Sequence, residues 1–344
     1  MADAQDTQRW QSVTHAHVRS RDGGLVAGAP EASSHVCLPA SWGVVLWESI
    51  QLPRTIEEVA AITGRPPAEV SALMGDLQAA GLVATSEASI TNPLSFHDAL
   101  MHARSRGITD EGFGKTTRTP LPPEDVASVG FSLPTVEGDA RLTAITCADV
   151  LTRRRTTREW STDDVTLAQV SALLWHGARD VDGSGQHFPY PYAGPAMATR
   201  IAVAAGRVEG LDPGLYVYEA AHHALVPWPP SNPAPAERLP VGEYISGVAA
   251  GHRPGDRHPP LMLIVLSDLA ALTSSYDGLA YANALKTAGA IQVTVSLAAT
   301  ALGLGSTILG LASDMDTRDV FDARVSRLTP IAEMAVGIPR TGSP

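Results

Sequence analysis

The chain has 344 residues, more than one compact domain usually needs, so its length favours two domains. Hydrophobic residues make up 44% and charged residues 18%, a balance that buries a core and excludes disorder throughout. Against 36 Asp and Glu stand 25 Lys and Arg, and the formal net charge of −11 disfavours a nucleic-acid or anionic-membrane binder.

Residues 1–22 are polar and poorly patterned and are expected to be a flexible N-terminus. The first six, Met1 to Asp6, lack the basic and apolar regions of a secretory signal, and the longest strongly apolar run, Leu261 to Leu266, is too short to span a bilayer. The expected location is the cytoplasm. The two cysteines, Cys37 and Cys147, stand far apart and outside any Cys/His ligand spacing, so neither a disulfide scaffold nor a zinc ribbon fits, and no metal is expected.

Residues 23–89 form the first expected unit. Extended stretches at Leu25 to Ala27 and His35 to Leu38 precede three helical patterns. The second starts at Thr55, with Glu58 completing a capping box, and stops at Gly64; the third starts at Pro66 and Pro67. This third pattern places Val70, Leu73, Met74 and Leu77 on one side before Gly81, and Leu82 to Ala84 reads as a strand. The order suggests a winged-helix-like domain. Between Thr55 and Ala84 the sole basic residue is Arg65, against Glu57, Glu58, Glu69 and Asp76, so the sign is wrong for a DNA groove.

Residues 90–145 read as a Gly/Pro-rich connection, with Thr119 to Pro123 as its extreme and a helical patch at Phe96 to Arg104. Residues 146–344 read as an α+β catalytic domain: a helix near Leu167 to Gly177, a strand at Arg200 to Ala205, and a turn at Asp212 to Gly214 into Leu215 to Glu219. Beyond it come the apolar strand Leu261 to Leu266 and a long helix with Ala288, Ile291, Val295, Ala298 and Leu302 on one side. Ile331 to Val336 is the last strand. Pro227 to Pro240 is expected to be a surface loop, and no internal repeat is found.

Three segments carry candidate chemistry. Arg153 to Arg158 supplies four guanidinium groups and two hydroxyls in six positions, a set that surrounds a phosphate with charge-assisted hydrogen bonds, although a solvated basic run has the same composition. Gly303-Leu304-Gly305 closes the long helix and permits close backbone approach to a ligand, or serves simply as a C-cap. Pro189 to Pro195 is a rigid loop that sets a backbone wall against a planar ring, or merely makes a turn.

Together and in this order, these features resemble the nitroreductase superfamily, whose members bind FMN at a homodimer interface. Arg154-Arg155-Thr156-Thr157-Arg158 resembles its Arg-Arg-Ser-x-Arg phosphate motif, and Pro191-Tyr192-Ala193-Gly194 its Pro-Ser-Ala-Gly loop beside the isoalloxazine, with Tyr192 in the serine's place. Within the superfamily, Gly210 to Tyr218, His223-Ala224-Leu225 and Phe96 to Gly107 are similar to segments of SagB-type dehydrogenases, which oxidise azolines to azoles in peptide natural products. That resemblance implies a mostly antiparallel sheet flanked by helices, an azoline-containing peptide substrate and a cyclodehydratase as partner. It also implies leader recognition by the N-terminal domain, and no nucleic-acid or membrane partner.

The family's catalytic Lys-Tyr pair falls on Ser275 and Tyr276: the tyrosine is kept and the lysine is not, for the chain has only Lys115 and Lys286. An ordinary phenol is a poor base at neutral pH, so another group must assist or the reaction must differ. His252, Arg253, Arg257 and His258 are candidates for that charge, or are solvated loop residues. The His222-His223 pair fits a hairpin turn. The resemblance also implies that Gln292 faces the flavin or the dimer partner, with a polar helix cap as the other reading, and that Arg340 reaches the FMN phosphate unless the terminus is frayed.

Overall fold

In a computed structural model the structure describes all residues except 1–7, 14, 31, 33, 86–94, 107–113, 116–129, 137–143, 195–197, 229–257, 311–326 and 341–344. The expected loop beyond Trp228, the segment Thr119 to Pro123, and His252, Arg253 and Arg257 lie outside the described residues. The chain divides into two compact units, one of residues 1–115 with 277–279, the other of residues 116–276 with 280–344.

The first unit comprises β1 (Trp10–Ser12), β2 (His17–Arg21), β3 (Gly24–Gly28), β4 (Val36–Leu38), α1 (Gly43–Ser49), α2 (Ile56–Thr63), α3 (Pro67–Ala79), β5 (Val83–Thr85), α4 (Phe96–Ser105) and β6 (Gly114–Lys115). Strands β2, β3 and β4 form an antiparallel sheet. Asp22 and Gly23, both at positive φ (50° and 80°), make the tight β2–β3 turn that an Asp-Gly pair favours. At α2, the Glu58 amide donates to Thr55 Oγ1 (3.2 Å) and the Thr55 amide to Glu58 Oε2 (3.0 Å), and Gly64 stops the helix at φ 66°. The Thr55 bond is the main cause holding the Glu58 carboxyl below its ordinary range. Val70, Leu73, Met74 and Leu77 bury their α3 stripe against Leu46, Ile50, Val59 and Leu82.

The N-terminus corrects the sequence reading. Residues 10–12 pair antiparallel with β5, the Trp10 amide donates to the Arg54 carbonyl at 2.7 Å, and β2 is an edge of the three-stranded sheet. Strands of three to five residues made of polar or mixed side chains leave no periodic signal, and the partner of β1 lies about 70 residues further along the chain.

The second unit carries β7 (Phe131–Ser132), α5 (Cys147–Arg153), β8 (Val165–Thr166), α6 (Leu167–Ala178), β9 (Thr199–Ala205), β10 (Val208–Glu209) and β11 (Gly214–Glu219). There follow β12 (Ala224–Pro227), β13 (Leu261–Asp268), α7 (Leu269–Ser275), β14 (Tyr276–Asp277), α8 (Ala280–Ala301), β15 (Gly305–Leu309) and β16 (Leu328–Gly337). Seven strands form one sheet in the order β15-β16-β13-β9-β11-β12-β7, every neighbouring pair antiparallel. All eight residues of β13 are buried, as a central strand covered on both faces requires. One face packs Ile201, Val203, Leu263 and Val265 against Leu173 and Leu174 of α6 and Ile291 and Val295 of α8; the other gathers Trp160, Ala202, Met262, Ile264 and Trp228.

The α+β expectation therefore holds, with elements the sequence reading missed. Residues 131–132, part of the expected connection, form an edge strand of the seven-stranded sheet, and α7 and β15 have no counterpart in the sequence reading. Among the described residues no helix is long and apolar enough to cross a membrane.

Candidate functional site

The arginine segment begins where α5 ends. Thr146 caps this short helix, with the Asp149 amide donating to its hydroxyl oxygen at 3.1 Å, and hydrogen bonds from Thr146 hold the Asp149 carboxyl below its ordinary range. The Arg154 amide makes the last helical bond, to the Val150 carbonyl at 2.9 Å, and the chain then runs extended. Thr156 forms a parallel bridge with Ser306, and the Thr157 amide donates to the Ser306 carbonyl at 2.9 Å. The segment thus lies as a ribbon beside the start of β15.

That approach explains Gly305. A Cβ there would stand 2.5 Å from Thr157 Oγ1 and 2.6 Å from its Cβ, closer than non-bonded atoms come. Two features about 150 positions apart in sequence are one structure, and a side chain at 305 would prise them apart. Gly303 and Leu304 have other work: Gly303, at φ 75°, ends α8 while the Leu304 amide donates to the Ala299 carbonyl at 2.8 Å, and the Leu304 side chain is buried in the core. Of the two glycines, Gly305 is the one that lies against the arginine ribbon. Gly305→Ala is expected to cost about 1–3 kcal/mol through overpacking, read as a lower midpoint in a thermal melt. An unchanged midpoint would mean that Thr157 gives way freely.

The guanidinium groups of Arg154, Arg155 and Arg158 are exposed and have no carboxylate partner among the described residues. Three unneutralised cations with two threonines on an ordered ribbon fit a phosphate. Arg340 stands nearby in chain terms: its amide donates to the Glu159 carbonyl at 3.0 Å, next to Arg158. Its guanidinium is ion-paired with the Glu159 carboxylate, so it meets the cradle partly neutralised.

A second cluster gathers at the other loop. The Ala193 amide donates to Thr287 Oγ1 of α8 at 3.0 Å, pinning the loop to the long helix. Gly194 has φ 103°, and a Cβ on it would lie 2.9 Å from Leu272 Cδ2 and 3.3 Å from the Tyr276 ring. Gly194 and Tyr276 are therefore neighbours, as a shared site requires. The Tyr192 hydroxyl donates to the Gln186 carbonyl at 2.8 Å and the ring meets Phe188 edge-on, so this tyrosine closes its own loop.

Ser275 and Gln292 both make side-chain hydrogen bonds within their own chain. Ser275 turns its hydroxyl back to the Ala271 carbonyl (3.3 Å) of its own helix. Gln292 is 5% exposed and donates to the Glu333 carbonyl at 3.0 Å, tying α8 to β16; it faces the interior of its own chain, because an amide inside a core must find a partner there. Among the described residues no group of three or more His, Cys, Asp or Glu side chains is placed to hold a metal.

His223 was read as part of a turn, and it is one, at φ 48°, but its ring is 9% exposed and hydrogen-bonded on both sides. Tyr218 Oη lies 2.8 Å from Nδ1 and Ser171 Oγ 2.8 Å from Nε2, while Ser171 donates to the Pro134 carbonyl at 2.5 Å. Asp180 was also missed. It sits 8% exposed at the end of α6, and nothing in its sequence surroundings distinguishes it from a surface carboxylate.

The second unit is an antiparallel sheet flanked by helices, with an exposed arginine ribbon against the start of β15. The model of the nitroreductase family matches residues 151–338, and the chain belongs to that family of oxidoreductases. A candidate nitroreductase of Methanocaldococcus jannaschii, MJ1384, is 27% identical over 191 residues, 55% of this chain and 89% of that protein. The E. coli microcin synthetase McbBCD complex with truncated pro-MccB17 bound aligns at 15% identity over 79% of this chain and 94% of that chain, with a TM-score of 0.47. A candidate nitroreductase of Desulfovibrio desulfuricans in complex with FMN aligns at 20% identity over 57% of this chain and 88% of that chain, with a TM-score of 0.36.

Proposed function

We propose that the chain is a cytoplasmic FMN-dependent dehydrogenase of SagB type that oxidises azoline rings of a peptide to azoles. The observation that carries the flavin is the ribbon Arg154 to Arg158, whose guanidinium groups have no protein counter-ion among the described residues and whose backbone is locked to Ser306. Arg154, Arg155, Thr156 and Arg158 would hold the FMN phosphate, with Arg340 beside them and Gly305 allowing the approach. What FMN supplies when bound is acceptance of the hydride from the ring's Cβ.

The rest is done by the chain. Thr287 fixes the Ala193-Gly194 backbone, Tyr192 braces that loop through Gln186, and Tyr276 stands against Gly194 to take the Cα proton. Loss of that proton and the hydride removes two hydrogens and makes the ring aromatic. In this reading residues 146–344 are the catalytic domain, functioning as a homodimer with the flavin at the interface. The first unit, built on Trp10 to Thr85, is a winged-helix-like domain that holds the peptide or a cyclodehydratase. A second reading, an FMN oxidoreductase on another substrate, is favoured by one observation: where a lysine would assist the tyrosine, Ser275 spends its hydroxyl on Ala271.

Purified protein is expected to show a flavin absorption spectrum, to release FMN on denaturation and to scatter light as a dimer. With an azoline peptide it should remove two hydrogens per ring by mass. Tyr276→Phe should slow this by about 100- to 10,000-fold with the flavin still bound. Flavin without azoline turnover selects the second reading, an unchanged Tyr276→Phe rate removes that residue from the mechanism, and a colourless protein that refuses FMN overturns both readings.

A further inference from the structure

The loop that ends in Ala193 and Gly194 also walls a second pocket. It is a small recess, about 20 Å³ of cavity at the bottom of a depression open to solvent, and Asp180, Phe188, Tyr190, Thr199, Arg200, Tyr218 and Glu219 line it among apolar neighbours. Asp180 is 8% exposed. Its Oδ2 accepts from the Gly185 amide at 2.6 Å, whereas Oδ1 is buried and has no donor among the described residues. Tyr190 is 5% exposed, its ring stacks on Phe188 at 5.3 Å, and its hydroxyl has no hydrogen bond among the described residues. Burial pushes the Tyr190 phenol above its ordinary value, so it remains an O–H donor.

Around them Tyr218 bonds His223, Glu219 accepts from the Ala221 amide at 3.1 Å, and Arg200 Nη1 donates to the Thr199 carbonyl at 3.2 Å. A buried acceptor left without a donor is costly, and a native fold retains one where something else fills the place. The occupant must bring an N–H or O–H to Asp180 and an acceptor to Tyr190. An ammonium would face the Arg200 cation, and a carboxylate would face Asp180 and Glu219. A primary carboxamide has both functions on one neutral, planar group, and its flat face suits the Phe188–Tyr190 wall.

We propose that this pocket binds a primary carboxamide, such as an Asn or Gln side chain, with its NH₂ on Asp180 Oδ1 and its carbonyl on the Tyr190 hydroxyl. Binding stands apart from the redox chemistry. Making the carboxamide part of the substrate rests on the function proposed above, because the same loop places Gly194 against Tyr276.

Saturation-transfer NMR on the full-length protein as purified, with propionamide, propylamine and propionate in turn, tests this. Propionamide is expected to bind in preference to the other two, and Tyr190→Phe to weaken it about fivefold, the worth of one neutral hydrogen bond. Because that hydroxyl bonds no protein group among the described residues, the variant should keep its thermal midpoint. Asp180→Ala should abolish binding; should that variant unfold, Tyr190→Phe decides alone. Preference for the amine or the acid, an unchanged affinity in Tyr190→Phe, or transfer from none of the three (a bridging water only) overturns the proposal. Propionamide binding without flavin fails the functional reading alone, and azoline turnover without propionamide binding fails this one alone.

Discussion

Arg154→Ala combined with Arg158→Ala is expected to give folded, colourless protein. Both side chains are exposed, neither makes an ion pair or hydrogen bond within the described residues, and the backbone of their segment is held by the Thr157–Ser306 bond and not by the guanidinium groups. Their removal therefore takes away no ion pair or hydrogen bond among the described residues, and less like-charge crowding on the ribbon offsets part of any loss of chain stability. What goes is phosphate binding. A hydrogen bond to a charged group contributes about 1.5–3 kcal/mol, so two arginines account for roughly 3–6 kcal/mol, or about 100- to 10,000-fold in FMN affinity. Titration of FMN into flavin-stripped wild type and double variant, followed by flavin fluorescence, measures this, with circular dichroism as the folding control. Full FMN occupancy in the folded double variant would place the phosphate elsewhere, and Arg340→Ala would be the next variant.

The residues legible in sequence are those whose physics is local. The α2 capping box needs only Thr55 and Glu58 three positions apart, and the α3 stripe needs only helical spacing, so both were readable without a fold. The cradle was legible for a different reason: so many arginines and hydroxyls in six positions exceed what an exposed turn requires. The Asp22-Gly23 hairpin is equally local, but the short, mostly polar stretch around it reads as unordered.

The rest depends on partners distant in the chain. Nothing in Phe131-Ser132 tells that it will pair with Ala224 and Leu225, and nothing at Gly305 alone tells that Thr157 will lie against it. The bonds of Gln292 to Glu333 and of Ser275 to Ala271 were hidden for the same reason, since a polar side chain on a helix does not announce the carbonyl it bonds. His223 is the sharpest instance. Its bonds run to Ser171, 52 positions away, and to Tyr218, five away across a turn, so only the fold reveals that it joins α6, β11 and the segment at Pro134.

Acidification should expose that junction. Ser171 gives its proton to the Pro134 carbonyl, so its oxygen accepts from the imidazole Nε2–H, and Nδ1 is left to accept from the Tyr218 hydroxyl. The neutral ring is the form these bonds require; a second proton on Nδ1 would face the hydroxyl proton of Tyr218. Desolvation, with Arg179 adding repulsion, pushes the His223 pKa down from 6.5 to about 4. Between these values the unfolded chain binds the proton and the native one does not, so stability is full above about pH 6.5 and falls as pH drops toward 4. The shift corresponds to about 3 kcal/mol. Urea melts of wild type and His223→Asn, a residue that tolerates the positive φ, would show it. Wild type should be the more stable at neutral pH, and its advantage should shrink by about 3 kcal/mol by pH 4. A difference that stays constant with pH would mean that His223 is already protonated in the native state, and the tautomer assigned from Ser171 would be wrong.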